Sequence, residues 1–167
     1  MIKYYSSAYP VYASSNGIAY EIYLAGCRGY CVGCHSPHTH DKNLGTPMEE
    51  VLDKLYDSID KWYNRGFIDN LVILGGEPLD NSDLELKEFL TNLKTRYPNC
   101  KLWLYTHFEI DEVRRTHPET LKVLDFIKCG KFEQDKFSEE GFRDSSTGVI
   151  LATSNQYIIN LKEDNHV

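Results

Sequence analysis

Apolar positions recur along the chain with two periods, and their succession sets out an order of elements. Residues Ile18 to Ala25 alternate apolar and polar and read as a strand. Met48, Val51, Leu52, Leu55, Ile59, Trp62 and Tyr63 recur at helical spacing. Three signals mark the start of that helix: Thr46 as a cap, Pro47 in the first turn and Glu49 completing a capping box; Gly66 supplies its stop. Leu71 to Leu74 is wholly apolar, as a strand buried on both faces would be, and runs into Gly75-Gly76-Glu77-Pro78. Ser82 and Glu85 form a second capping box ahead of Leu86, Phe89, Leu90 and Leu93, and this helix closes before Pro98. Leu102 to Tyr105 reads as the next strand. Helical material from Ile110 to Leu124 is broken at Pro118, and a further strand begins at Phe126-Ile127.

The two ends are less regular. Residues 1–17 are polar and rich in tyrosine, with turn signals at Pro10 and Asn16-Gly17, and read as a loose lead-in ending in a hairpin turn. Residues 129–167 read as an irregular C-terminal segment. Within it, Phe132 to Phe142 is charged and exposed and Ser145 to Gly148 is a turn. Val149 to Leu151 and Tyr157 to Leu161 would form a terminal pair of strands around Thr153-Ser154-Asn155-Gln156.

Strand, loop and helix therefore alternate through residues 18–128, which predicts an α/β fold built from βα units on a mainly parallel sheet. Right-handed crossovers place the loops that follow the strands on one edge, where chemistry gathers in such sheets. The cysteine-bearing loop 25–35, the Gly75–Pro78 loop and the Thr106-His107 loop all follow strands. With 167 residues, the chain is expected to be one domain over 1–167. It is too short for a complete eight-fold barrel, which takes about 200 residues or more.

Composition narrows the function classes. Apolar residues make up 41% and aromatic residues 13%, as in a globular protein. A net charge of −7 argues against a nucleic-acid binder working through a broad basic surface. The N-terminus lacks a signal-peptide layout and no apolar run approaches membrane-spanning length, so no membrane is expected. Of five cysteines, three cluster while Cys100 and Cys129 stand alone. That usage suits a reducing cytoplasm and a metal or redox role.

The clustered cysteines, Cys27, Cys31 and Cys34, are spaced C-x3-C-x2-C in a loop with glycines at 26, 29 and 33. Three thiolates so close can converge on one metal centre. One reading is a closed structural zinc site completed by His38 or His40; His35 adjoins Cys34 too closely to ligate easily. The other is an iron–sulfur cluster with one iron free of protein ligands, able to chelate an amino acid through its amine and carboxylate. The Gly75-Gly76 pair would let a ligand approach the backbone, and Glu77 would meet a ligand ammonium.

Together the two motifs resemble the radical S-adenosylmethionine (radical SAM) enzymes, whose hallmark is C-x3-C-x2-C after the first strand and a GGE-type motif after the second. Within that superfamily the chain is most similar to the small activating enzymes of anaerobic, class III ribonucleotide reductase. The similarity rests on Val32-Gly33 beside Cys34, the Thr39-His40 and Gly45 spacing, Leu74 to Leu79, Leu102 to Thr106, Phe126 to Glu133 and Ser154-Asn155-Gln156. The resemblance implies an open partial (βα) barrel of radical SAM type. Cys27, Cys31 and Cys34 would bind three irons of a [4Fe–4S] cluster, and S-adenosyl-L-methionine would chelate the fourth. Gly75, Gly76 and Glu77 would hold its methionyl group. A low-potential electron donor would reduce the cluster, and the 5′-deoxyadenosyl radical released would take hydrogen from a glycine of the large reductase subunit. A small-molecule enzyme of the 7-carboxy-7-deazaguanine synthase type shares both motifs but not the short length or the Ser-Asn-Gln segment.

Five positions depart from the pattern that the resemblance implies. His35 stands where an aromatic residue commonly follows the third cysteine, and would stack near the cluster or hydrogen-bond a sulfide. His40 replaces an aromatic residue after Thr39, and His107 replaces a glycine after Thr106, where a nucleoside contact is expected. Cys129 stands in place of Asp, and Tyr157 in place of Arg. Asn155 and Gln156 read equally as ligand contacts or as turn residues, and Trp62 and Trp103 as core.

Overall fold

In a computed structural model, which describes residues 1–27 and 37–163, nine strands and four α-helices are assembled. Seven strands make one open sheet in the order β3 (Thr46–Pro47), β1 (Lys3–Val11), β2 (Ala19–Leu24), β4 (Asn70–Gly75), β5 (Lys101–Tyr105), β6 (Phe126–Cys129) and β9 (Tyr157–Asn160). At its centre β2, β4, β5 and β6 run parallel. The expected parallel βα core is thus present. On the flanks, β1 pairs antiparallel with β2 and with the short β3, and β9 pairs antiparallel with β6.

The helices α1 (Met48–Tyr63), α2 (Asp83–Arg96), α3 (Ile110–Thr116) and α4 (Pro118–Val123) return the chain between strands. Their apolar stripes bury one face of the sheet. Leu55, Ile59, Leu86, Leu90, Leu93 and Val113 pack into one core with Ile22, Leu71, Ile73, Leu102, Leu104 and Ile127. The opposite face carries Ala19, Val72, Trp103 and Phe126, and the Trp103 and Phe126 rings stack at 4.2 Å. Val149 and Leu151 cover that patch. Leu151 belongs to β8 (Ile150–Thr153), which forms a separate two-stranded sheet with β7 (Phe137–Arg143). Apolar side chains on both faces explain why β4 reads as a continuous run rather than an alternation.

Four sequence expectations change. The lead-in is a nine-residue strand, because Tyr4, Tyr9 and the serines of β1 pack half-buried against the sheet and α1 without any apolar alternation to announce it. Tyr9 stacks on Trp62 at 5.2 Å, which leaves Trp62 half-buried at the edge of the core rather than inside it. Thr46 does not cap α1. It pairs with Tyr4, and the Met48 amide donates to the Ile2 carbonyl at 2.9 Å, so strand pairing supplies a partner at the helix start. The two C-terminal strands do not pair with each other: β8 joins β7, and β9 closes the large sheet beside β6. The Phe132–Phe142 stretch accordingly ends in a strand.

The second capping box is half made. Ser82 Oγ accepts from the Glu85 amide at 3.2 Å, whereas the Glu85 carboxylate takes the N-terminal ammonium at 3.0 Å. Asp83 does more for the tertiary structure. Its carboxylate accepts from the amides of Glu119 (3.0 Å) and Thr120 (2.8 Å) and from Thr120 Oγ1 (2.7 Å), which ties α2 to the first turn of α4. Burial alone would raise the Asp83 carboxyl; the Thr120 hydroxyl and these amides outweigh it and hold the carboxyl below its ordinary value. Asp83→Ala should therefore lose about 1.5–3 kcal/mol at neutral pH, measured by urea unfolding. With the folded value below the unfolded one, the contribution is present above about pH 4 and lost as pH falls through the folded value. The gap between wild type and variant should close in acid.

Candidate active site

The carboxyl ends of the parallel strands bring three of the sequence-predicted segments together. Beyond β2 lies Cys27, beyond β4 lies Gly76-Glu77, and beyond β5 lies Thr106-His107. Backbone bonds join the first two. Gly76 N donates to Leu24 O at 2.9 Å and Glu77 N to Gly26 O at 2.7 Å. The limb that returns from the cysteine loop closes on the same segment: Gly26 N donates to Thr39 O at 2.6 Å and Cys27 N to His40 O at 3.0 Å. Cys27 is thus held on two sides before the motif continues. Cys31, Cys34 and His35 lie outside the described residues.

Glu77 is the centre of the arrangement. Its carboxylate is buried, with 1% of the side chain exposed, and accepts from Leu79 N (2.9 Å), Thr106 Oγ1 (2.9 Å to each oxygen) and His107 N (2.7 Å). The His107 ring adds a contact, Nδ1 to Oε1 at 2.8 Å. Burial alone would lower the His107 imidazole; Cys27 and the Glu77 carboxylate outweigh it and raise it to about 10. A buried carboxylate is tolerated only when donors replace its water, and here the chain supplies them from β5 and from its own loop.

The glycines also serve a packing need that the sequence does not announce. A Cβ at Gly75, where φ is +119°, would stand 2.4 Å from Leu24 O; one at Gly76 would stand 2.3 Å from Gly26 O and 2.9 Å from Thr39 O. Their bareness admits the backbone that leads into and out of the cysteine loop. Both glycines also line a cavity of about 580 Å³, together with Cys27, His40, Glu77, Thr106 and His107, a volume of the size that small-molecule ligands occupy. A thiol, a bare backbone pair and a solvated-out carboxylate facing one cavity fit a thiolate-held metal centre with an amino-acid ligand beside it.

The cavity reaches along the helix-free face of the sheet to the β7–β8 hairpin, and its wall there carries polar residues that sequence reasoning missed. Glu21 is buried and accepts from Tyr23 OH at 2.8 Å. Tyr105 OH donates to Ser14 O at 2.7 Å, and Lys128 Nζ lies 5.3 Å from the Tyr105 ring centre. A signal existed: Glu21 stands in the middle of an otherwise uncharged strand, where a carboxylate has a reason to face something polar.

The remaining candidates divide. Gln156 lines the cavity, but its side chain accepts from the amides of Ala152 and Thr153 (3.2 Å each) and donates to Gly130 O (3.3 Å). Asn155 donates to Lys131 O at 2.8 Å and accepts from Thr153 Oγ1 at 2.6 Å. These bonds account for both residues as ties within the turn between β8 and β9 and from that turn to the segment after β6. His38 packs on Tyr5 at 5.3 Å. Cys100 and Cys129 are buried, and burial pushes their thiols up, to about 11 and about 12. Among the described residues no three His, Cys, Asp or Glu side chains are grouped to hold a metal ion. No helix among them is long and apolar enough to cross a membrane.

Comparison with known proteins points to an iron–sulfur centre. The family described as "4Fe-4S single cluster domain" matches residues 13–151. Curated relatives carry the name anaerobic ribonucleoside-triphosphate reductase-activating protein. That of Escherichia coli K12 is 24% identical over 151 residues, 87% of this chain and 96% of the relative. That of Haemophilus influenzae is 25% identical over 126 residues, 74% and 79%. That of Vibrio cholerae is 25% identical over 137 residues, 79% and 86%.

The close approach at Gly76 is open to a direct check. Gly76→Ala forces a methyl group against two backbone carbonyls and should cost about 1–3 kcal/mol in urea unfolding of the cluster-free chain. Stability equal to wild type would show that the two loops are not packed on that glycine.

Proposed function

The chain belongs to the 4Fe-4S single cluster domain family, and from that membership we propose that it is a radical SAM activase of anaerobic ribonucleotide reductase. The observation that carries the proposal is the meeting of Cys27 and Glu77 in one cavity, joined through the Glu77 N to Gly26 O bond of 2.7 Å. The names of the relatives supply the partner: the large, glycyl-radical subunit of that reductase. One radical SAM domain would span residues 1–167, on a sheet curved as an open partial barrel, and work in the cytoplasm with a low-potential electron donor.

Cys27, Cys31 and Cys34 would hold three irons of a [4Fe–4S] cluster, leaving one iron for S-adenosyl-L-methionine. When bound, the cluster supplies the electron that splits the cosubstrate into methionine and the 5′-deoxyadenosyl radical that takes a glycine hydrogen. Everything else falls to the chain's own groups. Gly75 and Gly76 present backbone to the cavity, and Glu77 accepts the methionyl ammonium. Thr106 and His107 fix the carboxylate before any ligand arrives, so little reorganisation is needed on binding. His35 completes the cofactor surroundings on this reading. The helix-free face of the sheet, roofed by the β7–β8 hairpin, keeps water from the reacting carbon and receives the glycine-bearing segment.

Anaerobic reconstitution followed by reduction, S-adenosylmethionine and the candidate reductase subunit tests the reading. An electron paramagnetic resonance doublet should appear on the partner and be lost with Cys34→Ala. Cleavage of the cosubstrate with no glycyl signal would retain the radical chemistry and reject the activase. A colourless, zinc-loaded protein would reject both.

A further inference from the structure

We propose that Ser14 and Glu21 form a second subsite of the cavity, which binds the glycine-bearing segment of the reductase subunit through its backbone amide and carbonyl groups. The inference rests on the activase reading and adds to it the way in which a target without a side chain is held.

Glu21 sits in the middle of β2, and its register neighbours across the parallel strands are Val72, Trp103 and Phe126. Those three pack in the apolar patch of the helix-free face, so the carboxylate stands among apolar neighbours. It is 5% exposed and lines the cavity. Among the described residues, Tyr23 OH donates to its Oε1 at 2.8 Å, and no hydrogen bond reaches Oε2. A carboxylate accepts about four hydrogen bonds, and burying one with a single donor is costly unless something else supplies the rest. Ser14, 7% exposed, lines the same cavity. Its carbonyl takes Tyr105 OH at 2.7 Å, which ties its loop to the sheet, but its Oγ has no hydrogen-bond partner among the described residues. A hydroxyl can donate, so the pair offers an acceptor for an N–H and a donor for a C=O. That matches a peptide backbone, and glycine has nothing but backbone by which to be recognised. Position favours the segment over the cosubstrate. The cosubstrate is anchored, on the reading above, at Glu77 beyond the carboxyl end of β4, whereas Glu21 lies three residues, about 10 Å, inside the end of β2. A segment lying along the helix-free face beneath a carbon held at that edge brings its amides to this depth.

Glu21→Gln and Ser14→Ala test this in the full chain. Because neither group has its full set of partners in the free protein, both variants should unfold at a urea concentration equal to or above that of wild type. Reconstituted anaerobically, they should bind S-adenosylmethionine in equilibrium dialysis as wild type does. Their affinity for the candidate large reductase subunit, read by biolayer interferometry with cosubstrate present, should fall about tenfold for Glu21→Gln and about fivefold for Ser14→Ala. Wild-type affinity for the subunit in both variants would overturn the subsite. So would a loss of affinity for S-adenosylmethionine, which would give the pair to the ribose hydroxyls of the cosubstrate, or a lowered urea midpoint, which would make the two groups structural. If wild type itself does not bind the subunit, the activase reading fails, and the inference with it.

Discussion

A buried carboxylate organises the loop edge of this protein. Glu77 has almost no contact with solvent, and its charge is met by Leu79 N, Thr106 Oγ1, His107 N and the His107 ring. Those donors come from two different strand ends, so the loops after β4 and β5 cannot move independently while the carboxylate keeps its partners. Through Glu77 N and Gly26 O the segment entering the cysteine loop is bound to the same point. An unpaired charge in such a place would cost several kcal/mol. The arrangement is therefore rigid for an electrostatic reason, and rigidity is what a site that must align a metal centre with a small ligand needs.

The division of labour between the faces of the sheet follows from the connections. Each crossover from β2 to β6 runs through helices that bury one face, which leaves the opposite face to Trp103, Phe126 and the β7–β8 hairpin at one end and to the cavity at the other. Stability and chemistry are thus separated. The helix side carries the large aliphatic core. The cavity side carries Glu21, Tyr23, Tyr105 and Lys128, polar groups that no packing demand explains.

Much of this was legible before the structure. The central strands, all four helices and the gathering of Cys27, Glu77 and Thr106 at one edge follow from periodicity, capping residues and the handedness of crossovers. Three things were not legible, each for a physical reason. β1 is made of tyrosines and serines that pack along their length, so it lacks the alternation by which strands are read. The pairing of β8 and β9 depends on which edge of the main sheet is free, a long-range fact that the intervening turn does not encode. The glycine pair after β4 announces a close approach but not of what: the neighbour is backbone from Leu24, Gly26 and Thr39. Likewise His107 reads in sequence only as a residue out of pattern; its bonds to Glu77 give it a place.

The proposed chemistry requires a cosubstrate amino group to reach a metal centre held beside Glu77. Electron–nuclear double resonance on the reduced, reconstituted protein with S-adenosylmethionine labelled with ¹⁵N at the methionyl amine measures this directly. A strong nitrogen coupling to the cluster is predicted, diminished when Glu77→Gln weakens the hold on the ammonium. A fully loaded cluster that shows no coupling to the bound cosubstrate would contradict the account.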